Sequence, residues 1–104
     1  MKITDDIKSK VNEIVSTYNQ GKRNRYLSRF QVSKGFLFLD REDGGLKASK
    51  ICRLKYKGKM DNWEFSIYKY SSSAYSPDEC FFPGEEFVDG TIEGAMKAGD
   101  EAYE

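Results

Sequence analysis

The chain has 104 residues with 17 Lys or Arg and 17 Asp or Glu, so its formal charge is zero; 38% are hydrophobic and 14% aromatic. That length leaves room for one core rather than two, and the aromatic content argues against a disordered chain. There is no histidine, which removes the usual base of serine and cysteine nucleophiles and a common zinc ligand.

One domain spanning residues 1–104 is therefore expected. No apolar run approaches a membrane span, and Met1 to Asp6 lacks the basic-then-apolar pattern of a secretory signal, so the expectation is a cytoplasmic protein. Cys52 and Cys80 form no Cys-x-x-Cys pair and read as reduced, small apolar residues. Cys52 is expected on the inner face of its strand. Cys80, beside Asp78 and Glu79, is expected to hold its proton, and neither is expected to act as a nucleophile. Gly-rich phosphate loops are missing, and neither a metal nor a cofactor is expected.

Ile3, Ile7, Val11, Ile14, Val15 and Tyr18 recur at steps of three and four, the stripe of an amphipathic helix. Thr4 or Asp5 can cap it and Gly21 can stop it, which predicts a helix from Asp5 to Asn19. Tyr26, Phe30 and Val32 then alternate with polar neighbours as a strand, turned at Ser33-Lys34-Gly35. Phe36 to Leu39 is a second strand, bounded by the turn Asp43-Gly44-Gly45. In the third, Lys50 to Lys57, the residues Cys52, Leu54 and Tyr56 face one way and Arg53, Lys55 and Lys57 the other. Trp63, Phe65 and Ile67 alternate through a fourth. Ser71 to Pro77 reads as a loop, and Cys80 to Phe82 as a short edge strand. The last helix is predicted from Gly90 to Tyr103, capped by Asp89, with Ala95, Ala98, Gly99 and Ala102 small enough for close approach to a sheet. The connections between strands are too short for parallel crossovers. The fold class is α+β: a four- or five-stranded antiparallel sheet with the two terminal helices packed on one face.

The stretch Ile51 to Tyr56, continued by Asp61-Asn62-Trp63, Tyr68-Lys69-Tyr70, Phe82-Pro83-Gly84 and Val88 to Ala95, resembles a group of small uncharacterised bacterial proteins. The resemblance covers about the C-terminal half. It implies a bacterial or archaeal cytoplasmic protein and transfers no site.

Charge is the feature with direction. Met1 to Tyr75 holds 16 basic residues against 8 acidic, and Ser76 to Glu104 holds 1 against 9. Period-two alternation places Arg25, Arg29, Arg53 and Lys55 on outward faces, and with Tyr68 and Tyr70 they have the parts of a single-strand nucleic-acid or other polyanion platform: cations for phosphates, rings for stacking. The plainer expectation for the same residues is the solvated face of a protein-interaction or structural module without catalytic activity, with an enzyme of unrecognised type as the third possibility. An acidic C-terminal helix lying close by would screen the patch. Trp63, Phe65, Phe81, Phe82 and Phe87 read as core. Phe82 to Glu86 is the loop whose fixed shape best suits a function, and its plainer reading is the start of the last helix. The Ser-rich segment from Tyr70 to Ser76 reads as a solvated loop.

Overall fold

The computed structural model describes residues 1–79 and 81–103. Helix α1 (Asp5–Asn19) is followed by five strands, β1 (Asn24–Gln31), β2 (Phe36–Asp43), β3 (Ser49–Lys59), β4 (Asn62–Lys69) and β5 (Ala74–Ser76), and then by helix α2 (Ile92–Ala102); short 3-10 turns lie at Val32–Lys34 and Glu85–Phe87. The strands are antiparallel neighbours in sequence order, and both helices pack on one side of the sheet.

Helix α1 keeps its expected bounds because both ends are chemically marked. Thr4 Oγ1 accepts the amide proton of Ile7, and Gly21 takes the left-handed conformation (φ 73°) that lets the chain leave. Val11 and Val15 are fully inside, whereas Ile7, Ile14 and Tyr18 are half-buried. The last residue, Asn19, is itself buried. Its side-chain amide donates to the carbonyl of Tyr26 (2.9 Å) and accepts from the Tyr26 N–H (2.8 Å), so one side chain occupies a strand's place beside β1.

The core lies between sheet and helices. Leu37, Leu39 and Leu54 are fully buried there, each contributing roughly 2 kcal/mol by loss of water contact. Leu39 pairs with Cys52 while Asp40 pairs with Lys50, so Ile51 is an extra residue in β3. This bulge puts consecutive residues, Ile51 and Cys52, both into the core. Helix α2 docks closely over it. A Cβ at Gly99 would stand 2.5 Å from Ile51 Cγ2 and 2.6 Å from the Tyr26 hydroxyl, so only glycine permits this spacing.

Polar side chains lock α2 in place. Arg41, 2% exposed and on the helix side of β2, donates to Asp43 (2.5 Å), to Asp100 (3.2 Å) and to the Tyr103 carbonyl. Asp100 also accepts the hydroxyls of Tyr18 (2.5 Å) and Tyr26 (2.9 Å).

Several boundaries differ from the sequence expectation. Strand β2 runs on to Asp43 rather than ending at Leu39, because Asp40, Arg41 and Asp43 all find ionic partners. The cap of α2 is Thr91, whose Oγ1 accepts the Gly94 amide; Asp89 instead accepts the N–H and hydroxyl of Thr91, one step removed. Phe81 and Phe82 belong to no strand, and Cys80 lies outside the described residues. The fifth strand is Ala74–Ser76, inside the segment read as a loop. Its pairing brings the half-buried Tyr75 ring against Phe38 of β2, while Phe82 stacks on Phe65 (5.8 Å, 17° between planes). Phe81 is 85% exposed and Phe87 is also exposed, so neither is core.

Candidate functional site

The side of the sheet away from the helices carries Arg25, Leu27 and Arg29 from β1, Phe36, Phe38, Asp40 and Glu42 from β2, Lys50, Arg53 and Lys55 from β3, and Glu64, Ser66 and Tyr68 from β4. Alternation puts Leu37, Leu39, Leu54 and Tyr56 into the core and turns these neighbours out.

This face is curled rather than flat. The ring of Tyr75 on β5 stands 5.4 Å from that of Phe38 on β2, although β3 and β4 lie between them. Phe36, Phe38, Tyr75, Tyr68 and Tyr70 form a chain of edge-on or tilted contacts at 4.8 to 6.1 Å. Cations lie over it. The Arg29 guanidinium sits 4.9 Å from the Phe38 centroid, Arg53 4.4 Å from Phe36 and 5.4 Å from Tyr75, and the Lys50 amine 5.3 Å from Tyr68.

The six residues singled out from sequence separate on this surface. Arg29 and Arg53 come together around Phe38 and Tyr75, in one cross-strand row (Arg29, Phe38, Arg53, Ser66). Lys55 lies one outward position further along, between Phe36 and Glu64. Arg25 is at the opposite end, across from Glu42, roughly 20 Å from Lys55 along the strand direction. Tyr68 is 8% exposed beneath Tyr70, Tyr75 and Lys50, which leaves its ring little surface to offer. Tyr70 is 53% exposed just beyond β4, at the rim of the sheet: its hydroxyl donates to the Lys50 carbonyl and its ring meets Tyr103, at the end of α2, edge-on at 5.7 Å. Phe36, Phe38 and Tyr75 complete the aromatic floor and were not singled out; the alternation of Phe36 and Phe38 with Leu37 and Leu39 was the available signal.

Not every cation is equally free. Arg29 is held by both oxygens of Asp40 (2.6 and 3.1 Å), which together with its Tyr75 contact keeps the guanidinium proton more firmly than usual. Lys57 lies 3.9 Å from Glu64. Among the described residues Arg25, Lys50, Arg53 and Lys55 make no ion pair. Helix α2 does not screen them, because it packs on the other side of the sheet; the carboxylates on this face are Asp40, Glu42 and Glu64. Burial raises the Tyr75 phenol above its ordinary value, partly offset by Arg29, and its oxygen has no hydrogen-bond partner among the described residues.

Elsewhere the surface has shallow grooves. One of about 380 Å³ lies between the helices, lined by Ile14, Tyr18, Met60 and Glu93 among others. Among the described residues no group of three or more His, Cys, Asp or Glu side chains is placed to hold a metal ion. The Cys52 thiol is free and buried in the core, and burial pushes its pKa well up. No helix among the described residues is long and apolar enough to cross a membrane. Comparison with family models, curated proteins and solved structures finds no match for the chain, and the functional reading rests on this geometry.

Proposed function

We propose that the curled outer face binds a polyanion carrying flat groups, namely a short run of single-stranded nucleic acid. One observation carries the reading: three cations without ionic partners among the described residues, Lys50, Arg53 and Lys55, border a continuous row of aromatic rings on the side of the sheet that no helix covers, and a fourth, Arg25, lies at the far end of the same face. Phosphates pair with the unpartnered cations, and bases stack on the Tyr70 ring and on the guanidinium planes of Arg29 and Arg53, which lie over Phe38 and Phe36. A strip roughly 20 Å long has room for about two or three bases, as on other four- to five-stranded platforms. The compartment is the cytoplasm of a bacterial cell, where a buried free thiol such as Cys52 stays reduced.

A protein-docking face is the second reading, favoured by exposed Leu27 beside Arg25 and Arg29, because arginine and aromatic side chains dominate the energetics of protein interfaces. Fluorescence anisotropy with a labelled oligothymidine of about 12 nucleotides separates the two. The expected result is binding at low salt, with a salt slope that falls by about 1.4 when Arg53→Gln is combined with Lys55→Gln, at about 0.7 for each phosphate left without its cation. No binding up to about 100 µM protein, the weak limit of non-specific association, rejects the nucleic-acid reading and leaves the docking face.

A further inference from the structure

We infer that the same sheet face docks onto the acidic helix side of a second copy of this chain, head to tail. The inference does not rest on nucleic-acid binding; it rests on where the two halves of the charge lie. The unpartnered cations Arg25, Lys50, Arg53 and Lys55 stand on the outer face of the sheet. On the helix side, Glu86, Asp89 and Glu93 line a concavity of about 320 Å³ beside exposed Phe87, with Lys97 as its one cation among the described residues. The total charge is zero, so no net repulsion keeps two copies apart, and the acidic concavity of one copy complements the unpartnered cations of the other.

Leu27 projects beside Arg25 on the basic face, and Phe87 projects beside the carboxylates. Apolar contact flanked by opposite charges is the composition of a transient interface. The two surfaces lie on different sides of the molecule, so pairing them leaves one of each unused on every dimer. Such a heterologous contact adds further copies rather than closing at two.

Sedimentation velocity of the full chain tests this across a concentration series in about 0.01 M salt, where charges are felt over about 30 Å, and in about 1 M salt, where the reach is about 3 Å. The expected weight-average mass rises continuously with concentration in low salt and returns to the monomer in high salt. Arg25→Gln with Arg53→Gln, and separately Glu86→Gln with Glu93→Gln, each give a monomer in low salt. Mixing the two variants restores association but only to a dimer, since each contributes one intact face. Arg25, Glu86 and Glu93 are exposed and Arg53 is half-buried over Phe36 and Tyr75, so circular dichroism checks that the variants fold. A wild type that stays monomeric in low salt overturns the inference. So does a dimer indifferent to salt, or a mixture of variants that fails to associate.

Discussion

Replacing Asp100 by Ala tests whether the polar cluster at the end of α2 fixes that helix to the sheet. Asp100 accepts from Tyr18 at 2.5 Å, from Tyr26 at 2.9 Å and from Arg41 at 3.2 Å. The three losses are unequal. The Tyr26 hydroxyl has one proton and a second acceptor, the Met96 carbonyl at 2.7 Å, so it stays satisfied. Tyr18 loses a charge-assisted bond worth about 1.5 to 3 kcal/mol, at the lower end because its half-buried ring can turn to water. Arg41 keeps Asp43 and the Tyr103 carbonyl, and Asp100 is itself 36% exposed, so the loss there is about 1 to 2 kcal/mol rather than the 3 to 5 of an orphaned buried charge. The sum is about 3 kcal/mol, a substantial share of a small domain's 5 to 15. Urea denaturation followed by circular dichroism would show it as a midpoint lowered by about 2 M, taking a slope of about 1.5 kcal/mol/M. Tyr18→Phe alone should cost about 1 kcal/mol, and the pair should be less than additive because both remove the same hydrogen bond. A loss below about 1 kcal/mol, or strict additivity, would refute the argument.

Tyr75→Phe is expected to change stability by less than about 1 kcal/mol, because the buried hydroxyl oxygen has no partner in hydrogen-bond geometry among the described residues and loses only its electrostatic contact with Arg29. A clear loss of stability in the same denaturation assay would mean that the oxygen is satisfied after all. Stability should also fall at alkaline pH. Burial raises the pKa of Cys52 and, with Asp100 adding to the effect, those of Tyr18 and Tyr26. The folded protein then keeps protons that the unfolded chain releases, so this stability is complete below the unfolded values, about 8.5 for Cys and 10 for Tyr, and declines as pH rises past them. Urea midpoints that stay flat to about pH 11 would contradict that sign.

What sequence reasoning could reach was set by how local the cause is. The bounds of α1 follow from a cap at Thr4, a stripe and a glycine, all within a few turns, and the alternation of Cys52, Leu54 and Tyr56 with charged neighbours is decided inside one strand. Tyr75 is different. Its ring packs on Tyr68 of the neighbouring strand and reaches Phe38, far away in sequence and across two other strands, while its immediate neighbours are the small residues Ala74 and Ser76. Arg41 likewise breaks alternation, being a charged residue on the core side, and the reason is a carboxylate 59 positions later. The bulge at Ile51 shifts parity by one, which no period-two count registers. The aromatic floor of the candidate face was half legible for the same reason: Phe36 and Phe38 sit in an apolar run, and the residue that turns them into a row comes from the least strand-like part of the chain.

The amide of Asn19 beside Tyr26 has a consequence for how the molecule is made. A sheet edge is a template on which stray chains can pair, and the two edges here are treated differently: β5 is only three residues long, whereas β1 has eight. On that longer edge, Asn19 supplies the donor and acceptor that an intruding strand would otherwise bring. It belongs to α1, which precedes β1 in the chain, so the blocking group leaves the ribosome before the strand it guards. At Tyr26 that edge is thus closed by a residue that precedes it in the chain.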